Sequence, residues 1–155
     1  MNIFSSHTID FGELRSNSLL TKYILIQKIN YNHVLRDIIK ANDIPALKEL
    51  LETNKSAINL NHENEYEHTP LTVAARIGNI QVVDLLIKSG ALIDFKNCDG
   101  QTALLLACEN GYTEVVALLL KYGANKNIKY YRDTETVFSI ASRYGYTEIV
   151  EMLSK

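Results

Sequence analysis

Tryptophan is missing from this chain, and cysteine occurs only twice. Two cysteines are too few for a disulfide scaffold, so a reducing, cytoplasmic compartment is expected. There is no basic excess either: the net charge is -2, whereas a nucleic-acid-binding domain would normally be basic. Apolar runs such as Leu118–Leu120 are far short of a membrane span. Residues 1–20 lack a basic start followed by an apolar stretch, so no secretory signal is readable. Phosphate loop, dinucleotide fingerprint, nucleophile elbow and zinc-protease signature are all missing, which leaves no catalytic constellation and no cofactor to propose.

What the chain does have is a repeat. Thr69, Thr102 and Thr136 each open a similar phrase: Thr-Pro-Leu-Thr-Val-Ala-Ala, Thr-Ala-Leu-Leu-Leu-Ala-Cys and Thr-Val-Phe-Ser-Ile-Ala-Ser. Gly78, Gly111 and Gly145 follow them at matching offsets, and Gly90-Ala91 is repeated as Gly123-Ala124. Each unit reads as a short helix, as over 70–77, ended by a left-handed glycine. A second helix follows, as over 80–89, with Val82, Val83, Leu85 and Leu86 on an apolar stripe. Thr113 and Thr147, each followed by a glutamate, read as N-caps. Asn97-Cys98-Asp99-Gly100 marks a turn in a projecting hairpin-like finger. A weaker unit precedes these, with helices over 34–41 and 44–53, Asn42 in the glycine's place and Pro45 tolerated in a first turn.

This grammar of helix, turn, helix and finger, with Thr69-Pro70-Leu71 opening the best-preserved unit, resembles the ankyrin repeat and its Thr-Pro-Leu-His signature. Thr72, Leu105 and Ser139 stand where that signature has histidine. The resemblance implies an all-α solenoid of about four helix-turn-helix units with short projecting hairpin-like loops. The units fall at about 33–68, 69–101, 102–135 and 136–155, within a repeat domain over 32–155. Residues 1–31 do not fit the period; Leu19, Leu20, Tyr23, Ile24 and Ile26 suggest a covering helix near 18–29, with a strand over 23–29 as the alternative. The fourth unit is serine-laced at Ser139, Ser142 and Ser154, which reads as a polar C-terminal cap; the alternative is an array that continues.

The resemblance also implies a non-enzymatic protein-interaction module, a scaffold or adaptor and a monomer, that meets a protein partner through its concave face and fingers. The alternatives are an inhibitor docking on an enzyme or transcription factor, and the targeting arm of a larger effector. By matching positions, the implied contact residues of the second unit are Glu65, Tyr66, His68, Arg76 and Ile77. Those of the third are Cys98, Asp99, Gln101, Glu109 and Asn110, and those of the fourth are Tyr131, Arg132, Glu135, Arg143 and Tyr144.

Three features admit two readings each. His62 to His68 carries two histidines and three acids, which suits either a metal site or a solvated polar finger. Nine tyrosines, with Tyr130, Tyr131 and Tyr144 in or beside the last unit's finger, suit either a contact surface or simple covering of helix ends. Glu63, Glu65 and Glu67 in the first finger stand against Lys121, Lys126, Lys129 and Arg132 near the last, which either orients a charged partner or merely faces solvent. Cys108 falls on a packing face and Cys98 near a finger tip, so the first is expected buried and the second exposed.

Overall fold

A computed structural model of the chain describes residues 31–54, 56–62, 68–130 and 134–155. The expected N-terminal cover lies outside the described residues. Within them the chain forms α1 (Tyr31–Ala41), α2 (Ile44–Thr53), α3 (Pro70–Ile77), α4 (Ile80–Lys88), α5 (Ala103–Glu109) and α6 (Thr113–Lys121). A two-residue ladder follows, β1 (Lys129–Tyr130) antiparallel to β2 (Glu135–Thr136), and then α7 (Val137–Tyr144) and α8 (Thr147–Ser154). This is the mostly helical, four-unit stack expected, although only the last of the described loops pairs as a ladder.

Helices of 7 to 11 residues are too short to stand alone in water. Stacking supplies what propensity does not. The first helices of the units pack in one row, α1 on α3, α3 on α5, α5 on α7, and the second helices pack in another. Small residues let the first row approach closely: Ala74, Ala75, Ala107, Cys108 and Ala141 are fully buried. Val82, Val83, Leu86, Val115, Val116, Leu119 and Ile149 fill the space between the rows, and one apolar cluster runs from Leu35 to Leu153.

The repeated threonines start the first helices. The hydroxyls of Thr69, Thr102 and Thr136 accept from the backbone N–H three residues on, as N-cap residues do. Where the family signature has histidine, two of the three positions hold a hydroxyl that bends back locally. Thr72 Oγ1 donates to the Thr69 carbonyl at 2.9 Å, and Ser139 Oγ donates to the Thr136 carbonyl at 2.9 Å while accepting from its N–H. Leu105 offers no such group and is buried. There Thr102 reaches across the finger instead, bonding the Tyr130 hydroxyl at 2.6 Å. Tyr130, a candidate surface tyrosine by its place in the finger, is thus only 5% exposed and belongs to the core.

Thr113 and Thr147 are not N-caps. Tyr112 and Tyr146 hold the cap positions and make no side-chain cap bond. Their rings instead cover glycines: Tyr112 lies on Gly78 of the preceding unit and Tyr146 lies on Gly111. At the first junction both partners differ. Asn42, in a left-handed conformation at φ 55, takes the glycine's place, and Asn79 takes the tyrosine's. Asn79 caps α4 through its carbonyl oxygen and donates from Nδ2 to Asn42 Oδ1 at 2.5 Å.

Side chains also tie one loop to the next. Asn61 Oδ1 accepts from the Leu92 N–H at 2.9 Å, and Asp94 Oδ1, one repeat on, accepts from the Asn125 N–H at 3.0 Å. Tyr122 donates to Asp84 at 2.6 Å, and Lys88 donates to the other oxygen of the same carboxylate at 2.7 Å. Those two hydrogen bonds, the Lys88 one foremost, hold the Asp84 carboxyl below the usual range. In the fourth unit Ser139, Ser142 and Ser154 are exposed, and Phe138, at the place of buried Leu71 and Leu104, is 44% exposed.

Candidate functional site

The stack frame brings the C-terminal ends of α3, α5 and α7 side by side, each beside the residue that leads into its own threonine cap. Residues eight apart therefore meet. Arg76 Nη1 lies 3.3 Å from His68 Nε2, and the Arg143 guanidinium pairs with the Glu135 carboxylate. Gln101 and Glu109 hold the same two positions in the third unit. Asn97, only 4% exposed, links neighbours: its Nδ2 is 3.2 Å from His68 Nδ1 and 3.3 Å from Gln101 Oε1, while its Oδ1 accepts from the Gln101 N–H at 2.7 Å. The edge is thus a file of Arg76, Glu109 and Arg143 on three helix ends, backed by His68, Gln101 and Glu135.

None of these side chains serves the core. Arg76, Ile77, Cys98, Asp99, Asn110, Arg143 and Tyr144 are exposed, and His68, Gln101, Glu109 and Glu135 are half-buried. Cys98 and Asp99 sit on the finger's turn rather than with the helix ends, and the Asn110 amide turns back to the Leu106 carbonyl at 2.8 Å. Glu65, Tyr66, Tyr131 and Arg132 lie outside the described residues, as do the three acids of the first finger. Lys126 points away from the edge expected of it: its Nζ donates to the Leu153 carbonyl near the end of α8 at 2.8 Å.

The best-formed part of the edge is at α7. The rings of Tyr144 and Tyr146 stack with centroids 5.9 Å apart, and the Arg143 guanidinium lies 5.6 Å from the Tyr144 ring centre. Glu135, Arg143, Tyr144 and Tyr146 therefore hold each other in place, while Tyr144 remains 53% exposed. Side chains already fixed lose little freedom on binding, and tyrosine and arginine are the residue types that carry most interface energy. Sequence reasoning misses Tyr146 because its repeat position marks it as structural.

A second missed feature lies at the first junction. An open groove of ≈ 480 Å³ runs between the first two units, lined by Ile39, Lys40, Asn42, Ile77, Asn79 and Ile80. Ile77 and Ile80 are 47% and 40% exposed there. The signal is present in the sequence as a joint departure, since this junction lacks both the glycine and the tyrosine of the other two.

Among the described residues no cluster of three or more His, Cys, Asp or Glu side chains could hold a metal ion. Among them, too, no helix is long and apolar enough to cross a membrane. Cys108 is buried, with its thiol pushed up to about 12 by burial, which suits packing and not nucleophilic chemistry. The arrangement is an accessible edge of mixed charge with exposed aromatic and aliphatic side chains.

A family model for ankyrin repeats in three copies matches residues 35–130 and 92–155, so the matches together span all four units. Repeats of this kind generally serve as protein–protein interaction modules and are typically non-catalytic. On its helix grammar, its threonine caps, its stacked core and this match, the chain belongs to the ankyrin repeat family.

Proposed function

We propose that this chain is a non-enzymatic scaffold or adaptor that holds a protein partner on the edge formed by the ends of α3, α5 and α7 and the adjoining fingers. One observation carries the reading: on a frame whose core repeats, the side chains at these helix ends differ from unit to unit and do not enter the core. Arg76-Ile77, Glu109-Asn110 and Arg143-Tyr144 give the edge its own pattern of charge and apolar anchors. The alternation of cation, anion and cation would set the register of a partner more than its raw affinity. We place it in a reducing, cytoplasmic setting, in which its two free cysteines would stay thiols.

The test is affinity capture followed by mass spectrometry, comparing the native chain with the Arg143→Ala/Tyr144→Ala double variant. Losing two anchors of ~1–2 kcal/mol each should cut capture by ~30-fold or more. Both side chains are exposed, but they also hold Glu135 and Tyr146, so the melting temperature should fall by no more than ~5 °C. Lys48→Ala, an exposed change on α2, serves as the control and should capture normally. A partner held equally well by the double variant would remove the edge from consideration.

A further inference from the structure

The three junctions of the stack are built on one plan, and the first lacks a part. At the second and third, a phenol ring of the later unit lies on a glycine of the earlier one, Tyr112 on Gly78 and Tyr146 on Gly111. At the first, the Asn42–Asn79 pair closes only the floor. What remains is the groove of ≈ 480 Å³, with Ile39 at its base and two half-exposed isoleucines on its flank.

Resting on the reading that this edge binds protein, we infer that the groove takes an aromatic side chain of the partner, a tyrosine or phenylalanine flanked by a carboxylate. The ring is argued from the molecule itself, because the corresponding place at the next two junctions is occupied by a tyrosine ring of this chain. The carboxylate is argued from charge. Lys40 is exposed at the groove's rim, in the last turn of α1. The two acids nearest Lys40 in sequence are both engaged: Asp43 caps α2, accepting from the Ala46 N–H at 3.0 Å, and Asp37 pairs with Arg36 at 3.1 Å. Asn42 carries a Cβ where Gly78 and Gly111 carry none, so an incoming ring is displaced from the floor towards Ile77 and Ile80. Ile77, the last residue of α3, belongs to both the groove and the helix-end edge, so a single extended segment can use both.

The test uses the intact chain, labelled with nitrogen-15, and three small probes: N-acetyltyrosine, its uncharged amide N-acetyltyrosinamide, and N-acetylleucine. N-acetyltyrosine should shift the backbone amides of Lys40, Ile77, Asn79 and Ile80 together, saturating with a dissociation constant on the order of millimolar. The amide should bind ~2–3-fold more weakly for want of one exposed charge pair, and Lys40→Ala should abolish that difference. N-acetylleucine should bind more weakly than either. In the Asn42→Gly/Asn79→Tyr double variant the chain supplies its own ring, as at the other junctions. Binding should then fall by ~10-fold or more while the melting temperature holds or rises, which separates a filled groove from a misfolded chain. A silent titration, shifts scattered over the surface, or binding retained in the double variant overturns the inference. So do shifts of the same amides with protein concentration alone, which would name a second copy as the occupant. If the probes fail while Arg143→Ala/Tyr144→Ala still loses the captured partner, the groove fails and the edge stands. If the probes bind as expected while capture ignores that variant, it is the edge that fails.

Discussion

Gly78→Ala is expected to lower the melting temperature by roughly 8–12 °C, from a loss of ~2–3 kcal/mol. Two costs add. Gly78 ends α3 at φ 81, where a side chain costs ~1–2 kcal/mol. An added Cβ would also lie 2.7 Å from Cδ1 and Cε1 of Tyr112 and 2.9 Å from its Cγ. Those atoms are near the root of the ring, so swinging the hydroxyl end aside gives no relief. The ring must leave its seat and surrender its packing, worth ~1 kcal/mol for a side chain that is already 36% exposed. Gly123 supplies the comparison: its φ is 86, but nothing lies within 4 Å of the position of its Cβ. Gly123→Ala should therefore cost the backbone part alone. Tyr112→Ala should remove the excess, so that the two glycine replacements become equal in that background. Equal costs in the native background would show that the ring contact contributes nothing.

Raising the pH from 9 to 12 should cost the stack on the order of 6 kcal/mol, from two buried acids. Tyr130 and Cys108 both have their protons held by burial, the phenol pushed up to about 12 from 10.0 and the thiol to about 12 from 9.0. Both groups are neutral when protonated, and both have a folded pKa above the unfolded one. The unfolded chain therefore ionises first and is favoured as pH climbs. Their contribution is intact below pH 9, shrinks through the window from 9 to 12, and is gone above it. Urea midpoints measured at pH 8, 10 and 11 will show the slope. Tyr130→Phe deletes the smaller of the two titrations and should flatten the fall by about a third. It should cost ~1 kcal/mol at pH 8 through the lost bond to Thr102. Parallel curves for native and variant chains would show that Tyr130 plays no part in alkaline unfolding.

Local punctuation is the legible part of this fold. The period and its left-handed glycines place α3 at 70–77 and the weaker unit's second helix at 44–53, and Asn42 is identifiable at a glycine's place. These features depend on a few neighbouring residues, and the chain states them directly. What it does not state is which side chain meets which across a repeat. Tyr130 finds Thr102 at 28 residues' distance, Asn79 finds Asn42 at 37, and Tyr122 finds Asp84 at 38. Such pairings are decided by how helix rows pack, not by local propensity. The same limit explains the caps: Thr113 and Thr147 look like cap residues until the glycine turn places Tyr112 and Tyr146 one step earlier. For the edge, repeat position alone is enough to predict accessible residues at the helix ends, and Arg76, Ile77, Arg143 and Tyr144 lie there exposed. Position cannot show that Glu135, Arg143, Tyr144 and Tyr146 hold one another.

The ties between neighbouring loops have a kinetic consequence. Leu92 to Asn61 and Asn125 to Asp94 each span 31 residues, close to one repeat, and the Tyr122–Asp84 bond spans 38. A topology closed by loops of about one repeat length imposes a small search at every step, so folding should be fast and should begin wherever two well-packed units first meet. The second and third units, joined by the Tyr112–Gly78 seat and the Tyr122–Asp84 bond, are the natural nucleus. On the ribosome that nucleus can form once residue 124 has emerged, so the fourth unit emerges to fold against a surface already formed.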